Sequence, residues 1–102
     1  MEKLKLFISQ PMRDRTNEEI LAERERIIKS VQEKYPDKEF EVLDTFFQDA
    51  PHEAKPLWYL AKSLEYLSTA DLAAFCIGWR AYRGCVIEHT CCEEYGIEYI
   101  NA

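Results

Sequence analysis

The sequence predicts an α/β domain built on a small, doubly wound parallel sheet. Three observations point there. Short apolar runs alternate with helical patterns along all 102 residues, and such alternation favours parallel strands joined by helical crossovers. One run, Asp71 to Ile77 (DLAAFCI), is unbroken and apolar, as expected of a central strand covered on both faces. No linker, repeat or low-complexity tract interrupts the order.

The first strand is Leu4 to Ser9 (LKLFIS). Thr16-Asn17-Glu18-Glu19 is a capping box, in which the threonine hydroxyl accepts an amide proton and Glu19 reaches back. A helix follows to about Lys34, with Ile20, Leu21, Ile27, Ile28 and Val31 on its inner face. Pro36-Asp37 ends it. Phe40 to Thr45 is the second strand, followed by a loop through Asp49-Ala50-Pro51. The second helix is Leu57 to Leu67, with Leu57, Leu60, Ala61, Leu64 and Leu67 facing inward. After the Asp71–Ile77 strand, Gly84 to Tyr95 forms the third helix, stopped by Gly96. Ile97 to Ile100 is the last strand. The compact solution has four strands in the order 2-1-3-4 and three helices, a flavodoxin-like or Rossmann-like arrangement. The connections after the first and third strands then leave in opposite directions, opening a crevice at their carboxyl ends. Ser9, Gln10, Pro11, Met12 and Arg13 line one side. Gly78, Trp79 and the Arg83-to-Glu88 turn line the other.

Composition narrows the function. The length suits one domain, and 47% hydrophobic residues supply a small core. A net charge of −6 gives no basic stripe for a nucleic-acid polymer. No run approaches the roughly 20 apolar residues that span a bilayer, so no membrane partner is expected. The start, MEKLKLFISQP, is too short and polar for a signal peptide and reads as a strand. Cys76, Cys85, Cys91 and Cys92 lack CxxC spacing, so reduced thiols and a cytoplasmic location are expected.

Glu88 is the first candidate for chemistry. Gly84 lets a ligand approach the backbone at the helix start. The helix dipole there favours negative charge, so the carboxylate is expected to stay ionised at neutral pH. Beside a sugar's anomeric carbon it can act as nucleophile or stabilise an oxocarbenium-like transition state. Position alone equally suits a first-turn glutamate that only complements the dipole. Trp79 can stack on a base, or simply seal the core edge. Arg13 and Arg83 adjoin the crevice and suit phosphate; Arg15 and Arg80 read as solvated surface residues. Asp44 and Asp49 suit a ribose hydroxyl or a base edge, or are turn residues. Asp71, at the far end of its strand, reads as structural. Cys85, His89 and Cys92 share a helix face at i, i+4, i+7 but lack a partner from another element, so no metal is expected. Cys85, near a helix start, is a candidate for a lowered thiol pKa.

Two stretches carry a resemblance: Ile8-Ser9-Gln10-Pro11-Met12, and Gly78-Trp79-Arg80-Ala81-Tyr82-Arg83-Gly84-Cys85-Val86-Ile87-Glu88. The chain resembles a small bacterial and phage branch of the nucleoside 2-deoxyribosyltransferase-like superfamily, over residues 1–102 as a single domain. That superfamily includes deoxyribosyltransferases and a 2′-deoxynucleoside 5′-phosphate N-hydrolase. The resemblance implies that Glu88 attacks the anomeric carbon of a nucleoside or nucleotide without metal or organic cofactor. It implies binding roles for Ser9, Gln10, Met12, Arg13, Asp44, Ser63, Gly78, Trp79, Arg83 and Gly84, and a homodimer or higher homo-oligomer that can complete its pocket from a neighbouring subunit. Three positions depart from the family pattern. Ser63 stands where an aspartate manages the departing base, Phe7 where a tyrosine orients the glutamate, and Tyr82 where transferases carry an aspartate. A serine hydroxyl is a poor general acid. The alternative reading is therefore a non-catalytic binder of a nucleotide or nucleotide-derived signal of the ADP-ribose type, and a purely structural module is the third.

Overall fold

In a computed structural model, residues 3–102 are described. The elements are β1 (Leu4–Ser9), α1 (Asn17–Lys34), β2 (Phe40–Val42), α2 (Pro56–Leu67), β3 (Leu72–Phe75), a 3-10 turn (Trp79–Ala81), α3 (Arg83–Tyr95) and β4 (Tyr99–Asn101). The four strands form one parallel sheet in the order β2-β1-β3-β4. β1 is central, pairing Leu6 with Val42 on one side and Ser9 with Phe75 on the other. This is the predicted α/β architecture with its three helices.

Strand alternation builds two cores. Leu6, Ile8, Leu72 and Ala74 meet Ile27 and Val31 of α1 on one face. Phe7, Ala73 and Phe75 meet Leu67 of α2 and Cys92 of α3 on the other. The α1 capping box forms as expected, with Glu19 N–H donating to Thr16 Oγ1 at 3.1 Å and Thr16 N–H to Glu19 Oε1 at 2.9 Å. Gly96, at φ +69°, closes α3. No described helix is long and apolar enough to cross a membrane.

Five details differ from the sequence reading, the first being that β4 spans Tyr99–Asn101 and not Ile97 to Ile100. β2 ends at Val42, not Thr45, because Arg24 takes the Leu43 carbonyl at 3.1 Å and the Thr45 hydroxyl at 3.3 Å and draws the chain out of the sheet. β3 spans Leu72–Phe75 only. Asp71 instead accepts the Lys5 amide at 2.8 Å, and Ile77 is exposed ahead of the left-handed Gly78 at φ +78°. On α1, Leu21 is exposed while Arg24 occupies the buried stripe between Ile20 and Ile27. On α2 only Leu67 is buried, and Leu57 is 72% exposed. That helix reaches the core through Leu64 and Leu67 at its carboxyl end and packs against α3. Its aromatic residues cluster with the preceding loop, Phe47 lying 6.1 Å from Trp58 and 5.7 Å from Tyr66 between ring centres.

Candidate functional site

The chain reverses its winding between β1 and β3, so their carboxyl ends carry the site. Ser9 is the last residue of β1, and its carbonyl accepts the Cys76 amide at 3.0 Å just beyond β3. From the other side comes Glu88, in the second turn of α3. Ser9 Oγ donates to Glu88 Oε1 at 2.6 Å, and both side chains are buried, at 1% and 7% exposure. Glu88 Oε2 receives no hydrogen bond from the described residues. Among those residues no buried side-chain oxygen lacks a partner, so Oε2 is the oxygen that reaches the surface. One oxygen is thus held and the other is presented.

Burial pushes the Glu88 carboxyl up from 4.5 to about 7, against the lowering effect of the Ser9 hydroxyl. The expectation of a fully ionised carboxylate is corrected: burial outweighs the Ser9 hydrogen bond, and both the charged and the neutral form are populated near pH 7. Cys85 is also corrected. Its thiol is pushed up, not down, by neighbouring Cys76 and by burial, while Cys76 is lowered by its bond from Cys85.

The β1–α1 side of the crevice is braced by a polar chain. Arg24 Nη1 donates to Gln10 Oε1 at 3.1 Å, and Gln10 Nε2 donates to Glu23 Oε1 at 2.9 Å and the Ile20 carbonyl at 3.2 Å. Arg15, read from sequence as a solvated surface residue, bridges the mouth. It pairs with Glu23 at 3.1 Å and donates to the Tyr82 hydroxyl at 3.1 Å, joining the loop before α1 to the residue that precedes α3. Met12 is half-buried and Arg13 exposed in the same loop, where Asp14 adopts φ +60°.

Across the crevice, Gly78 leads into the 3-10 turn that carries Trp79. The indole stacks on His89 at 3.9 Å between ring centres and 11° between planes, and the Arg80 guanidinium lies 5.0 Å from its centre. His89 is further enclosed by Phe75 at 4.9 Å and Tyr99 at 4.4 Å, and contacts Glu93 Oε1 through Nδ1 at 3.0 Å. Trp79 therefore carries His89 against its ring and the exposed Arg80 over it, so both its stacking partners come from the fold. Arg83 is exposed at the first position of α3. No side chain caps that helix start, and a Cβ placed on neighbouring Gly84 meets nothing within 4 Å. The space beside Gly84 is open.

Asp44 is an exposed turn residue whose Oδ1 accepts the Phe46 amide at 3.4 Å. Ser63 is half-buried on α2. Among the described residues no hydrogen bond ties either one to the Ser9–Glu88 pair. No group of three or more described His, Cys, Asp or Glu side chains converges as a metal site. Two hollows, of about 470 and 330 Å³, share Lys38 and Phe40 and lie at the opposite, amino end of the sheet.

Sequence reading missed Arg24, Glu23 and the Arg15–Tyr82 bridge. The one available signal was Arg24 itself, a charge in register with Ile20, Ile27 and Val31 on an apolar stripe. Compared with known proteins, the chain matches no family model, no curated protein and no solved structure.

Proposed function

We propose that this chain is an N-glycosidic-bond enzyme of the deoxyribosyltransferase or N-hydrolase type, acting on a nucleoside or nucleoside 5′-phosphate. The observation that carries the reading is the Ser9–Glu88 pair: a buried carboxylate with Oε1 fixed at 2.6 Å and Oε2 left without a hydrogen bond from the described residues and reaching the surface. The resemblance of the two loops to nucleoside 2-deoxyribosyltransferase-like proteins supports it. In that pattern a tyrosine orients the glutamate. Here Phe7 lies in the core, and the Ser9 hydroxyl, two residues on, supplies the orienting bond.

In the reaction, Glu88 Oε2 forms a bond to the anomeric carbon as the carbon–nitrogen bond breaks. The base leaves with the bonding electron pair and takes up a proton. Water or an acceptor base then attacks the anomeric carbon and returns Glu88 as carboxylate. The uncapped start of α3 and exposed Arg13 and Arg83 suit the sugar-phosphate side. We read Trp79 as the base's neighbour, through its edge or by displacement of the exposed Arg80 from the ring that His89 backs. A homo-oligomer fits the exposed Leu57, Tyr59 and Tyr66 of α2, and a neighbouring subunit is one source of the missing general acid.

The second reading is a binder of a nucleotide-derived signal without turnover. It is favoured by the absence, among the described residues, of a second carboxyl hydrogen-bonded to the Ser9–Glu88 pair. Incubating the pure protein with 2′-deoxynucleosides and their 5′-monophosphates, and resolving free base by chromatography, separates the two. The enzyme releases base, and Glu88→Ala reduces the rate on the order of 10³-fold or more. No base under any condition, with ligand still stabilising the fold, supports the binder.

A further inference from the structure

Five polar or charged residues are buried among the described ones: Ser9, Gln10, Arg24, Thr45 and Glu88. They form two hydrogen-bonded groups that meet where Gln10 follows Ser9 in the chain. Glu88 is held by Ser9, Ser9 adjoins Gln10 in the chain, and Gln10 and Thr45 are both held by Arg24. Burying a polar group costs free energy unless it is paired, and burying a cation costs more. The rest of the interior is apolar. The polar burial is thus gathered at the carboxyl end of β1, on either side of the Ser9–Gln10 step.

Arg24 is the expensive member. It sits on the apolar stripe of α1, where an aliphatic side chain would satisfy the helix. None of the ion pairs among the described residues includes it. Its guanidinium instead makes three hydrogen bonds: to Gln10 Oε1 at 3.1 Å, Thr45 Oγ1 at 3.3 Å and the Leu43 carbonyl at 3.1 Å. A planar fork of fixed donors thereby ties the carboxyl end of β1 to the chain leaving β2.

We propose that Arg24 is a positioning residue, which by locking Gln10 holds the adjoining Ser9 hydroxyl on Glu88. The proposal rests on Glu88 as the reacting group. The Ser9 hydroxyl from β1 bonds Glu88, and the Cys85 and Cys92 thiols of its own helix lie within reach of its charge. Among the described residues no ion pair includes either Glu88 or Arg24, so Arg24 acts by geometry rather than by pairing.

The test follows the Glu88 side-chain carboxyl carbon by NMR titration of protein labelled with ¹³C-glutamate, its signal assigned by loss in Glu88→Gln. In Ser9→Ala the titration midpoint rises. Arg24→Met moves it in the same direction, and Ser9→Ala with Arg24→Met matches Ser9→Ala alone, as expected of two residues acting through one bond. Gln10→Met, which leaves Arg24 in place, repeats the shift and serves if Arg24→Met does not fold. A folded Arg24→Met or Gln10→Met with the wild-type midpoint overturns the proposal, as does a double variant whose shifts add. The titration reads the Ser9–Glu88 bond without turnover, so a failure of this coupling is distinguished from a failure to release base.

Discussion

Ser9 and Glu88 stand 79 residues apart in sequence and 2.6 Å apart in space, oxygen to oxygen. The bond crosses the split between the carboxyl ends of β1 and β3 and opposes the burial that raises the pKa of the only buried carboxylate among the described residues. A nucleophile must be ionised. With burial holding the Glu88 carboxyl at about 7, kcat/KM for base release rises with pH through about 7 instead of through the ordinary carboxylate range. Ser9→Ala removes the one lowering influence and moves the rise to higher pH. A pH–rate profile of both proteins checks this, and a limb near 4.5 in the wild type would contradict it.

The same burial makes Glu88 a load on the fold. Its folded pKa of about 7 lies above the ordinary 4.5. Its contribution to stability is therefore fully present below about 4.5 and lost as pH rises through about 7. At pH 8 the charged carboxylate costs the fold up to roughly 3 kcal/mol relative to its neutral form. Glu88→Gln is thus expected to be more stable than wild type at pH 8, with the gap closing towards pH 5. Urea unfolding at the two pH values measures it. A variant less stable than wild type at pH 8 would show that the carboxylate is favourably held.

Gly84 separates ligand approach from folding. A Cβ there meets nothing within 4 Å, at a helical position without positive φ. Gly84→Ala should leave the fold unharmed or more stable by about 0.5–1 kcal/mol, while weakening ligand binding at the α3 start. Unfolding and ligand titration of the variant check both halves. Undiminished binding would move the ligand away from Gly84.

Thiol reactivity reports on the top of the sheet. Cys76, Cys85 and Cys92 are buried and Cys91 is half-exposed. An aromatic disulfide reagent should therefore label one cysteine quickly in the native protein and all four after denaturation. Rapid native labelling of Cys85 would mean that the α3 start opens in solution.

Much of this architecture was readable from periodicity. Alternating strand and helix signals, the Thr16 capping box and the apolar run before Gly78 lead to the order 2-1-3-4 and place Ser9 and Glu88 at one crevice. Three things were not readable. Arg24 looks like a solvated helix charge, because helical spacing cannot show that the end of β2 curls back to receive it. The ionisation of Glu88 was misjudged because a dipole argument needs only position in the helix, whereas desolvation depends on what packs above it. The Leu57–Leu67 pattern has helical period, but a stripe does not reveal how much of its length the core covers, and Leu57 is exposed while Leu67 is buried.

The central claim is that Glu88 bonds to the sugar. The most direct measurement is intact and peptide mass spectrometry after reaction with a 2′-deoxy-2′-fluoro-arabinosyl nucleoside or its 5′-phosphate, whose fluorine slows release of a glycosyl-enzyme. The account predicts a protein heavier by one fluorosugar (or fluorosugar phosphate), with the addition on Glu88 within the α3 peptide and absent from Glu88→Gln. Base release with no adduct, at a rate unchanged by Glu88→Gln, would contradict it.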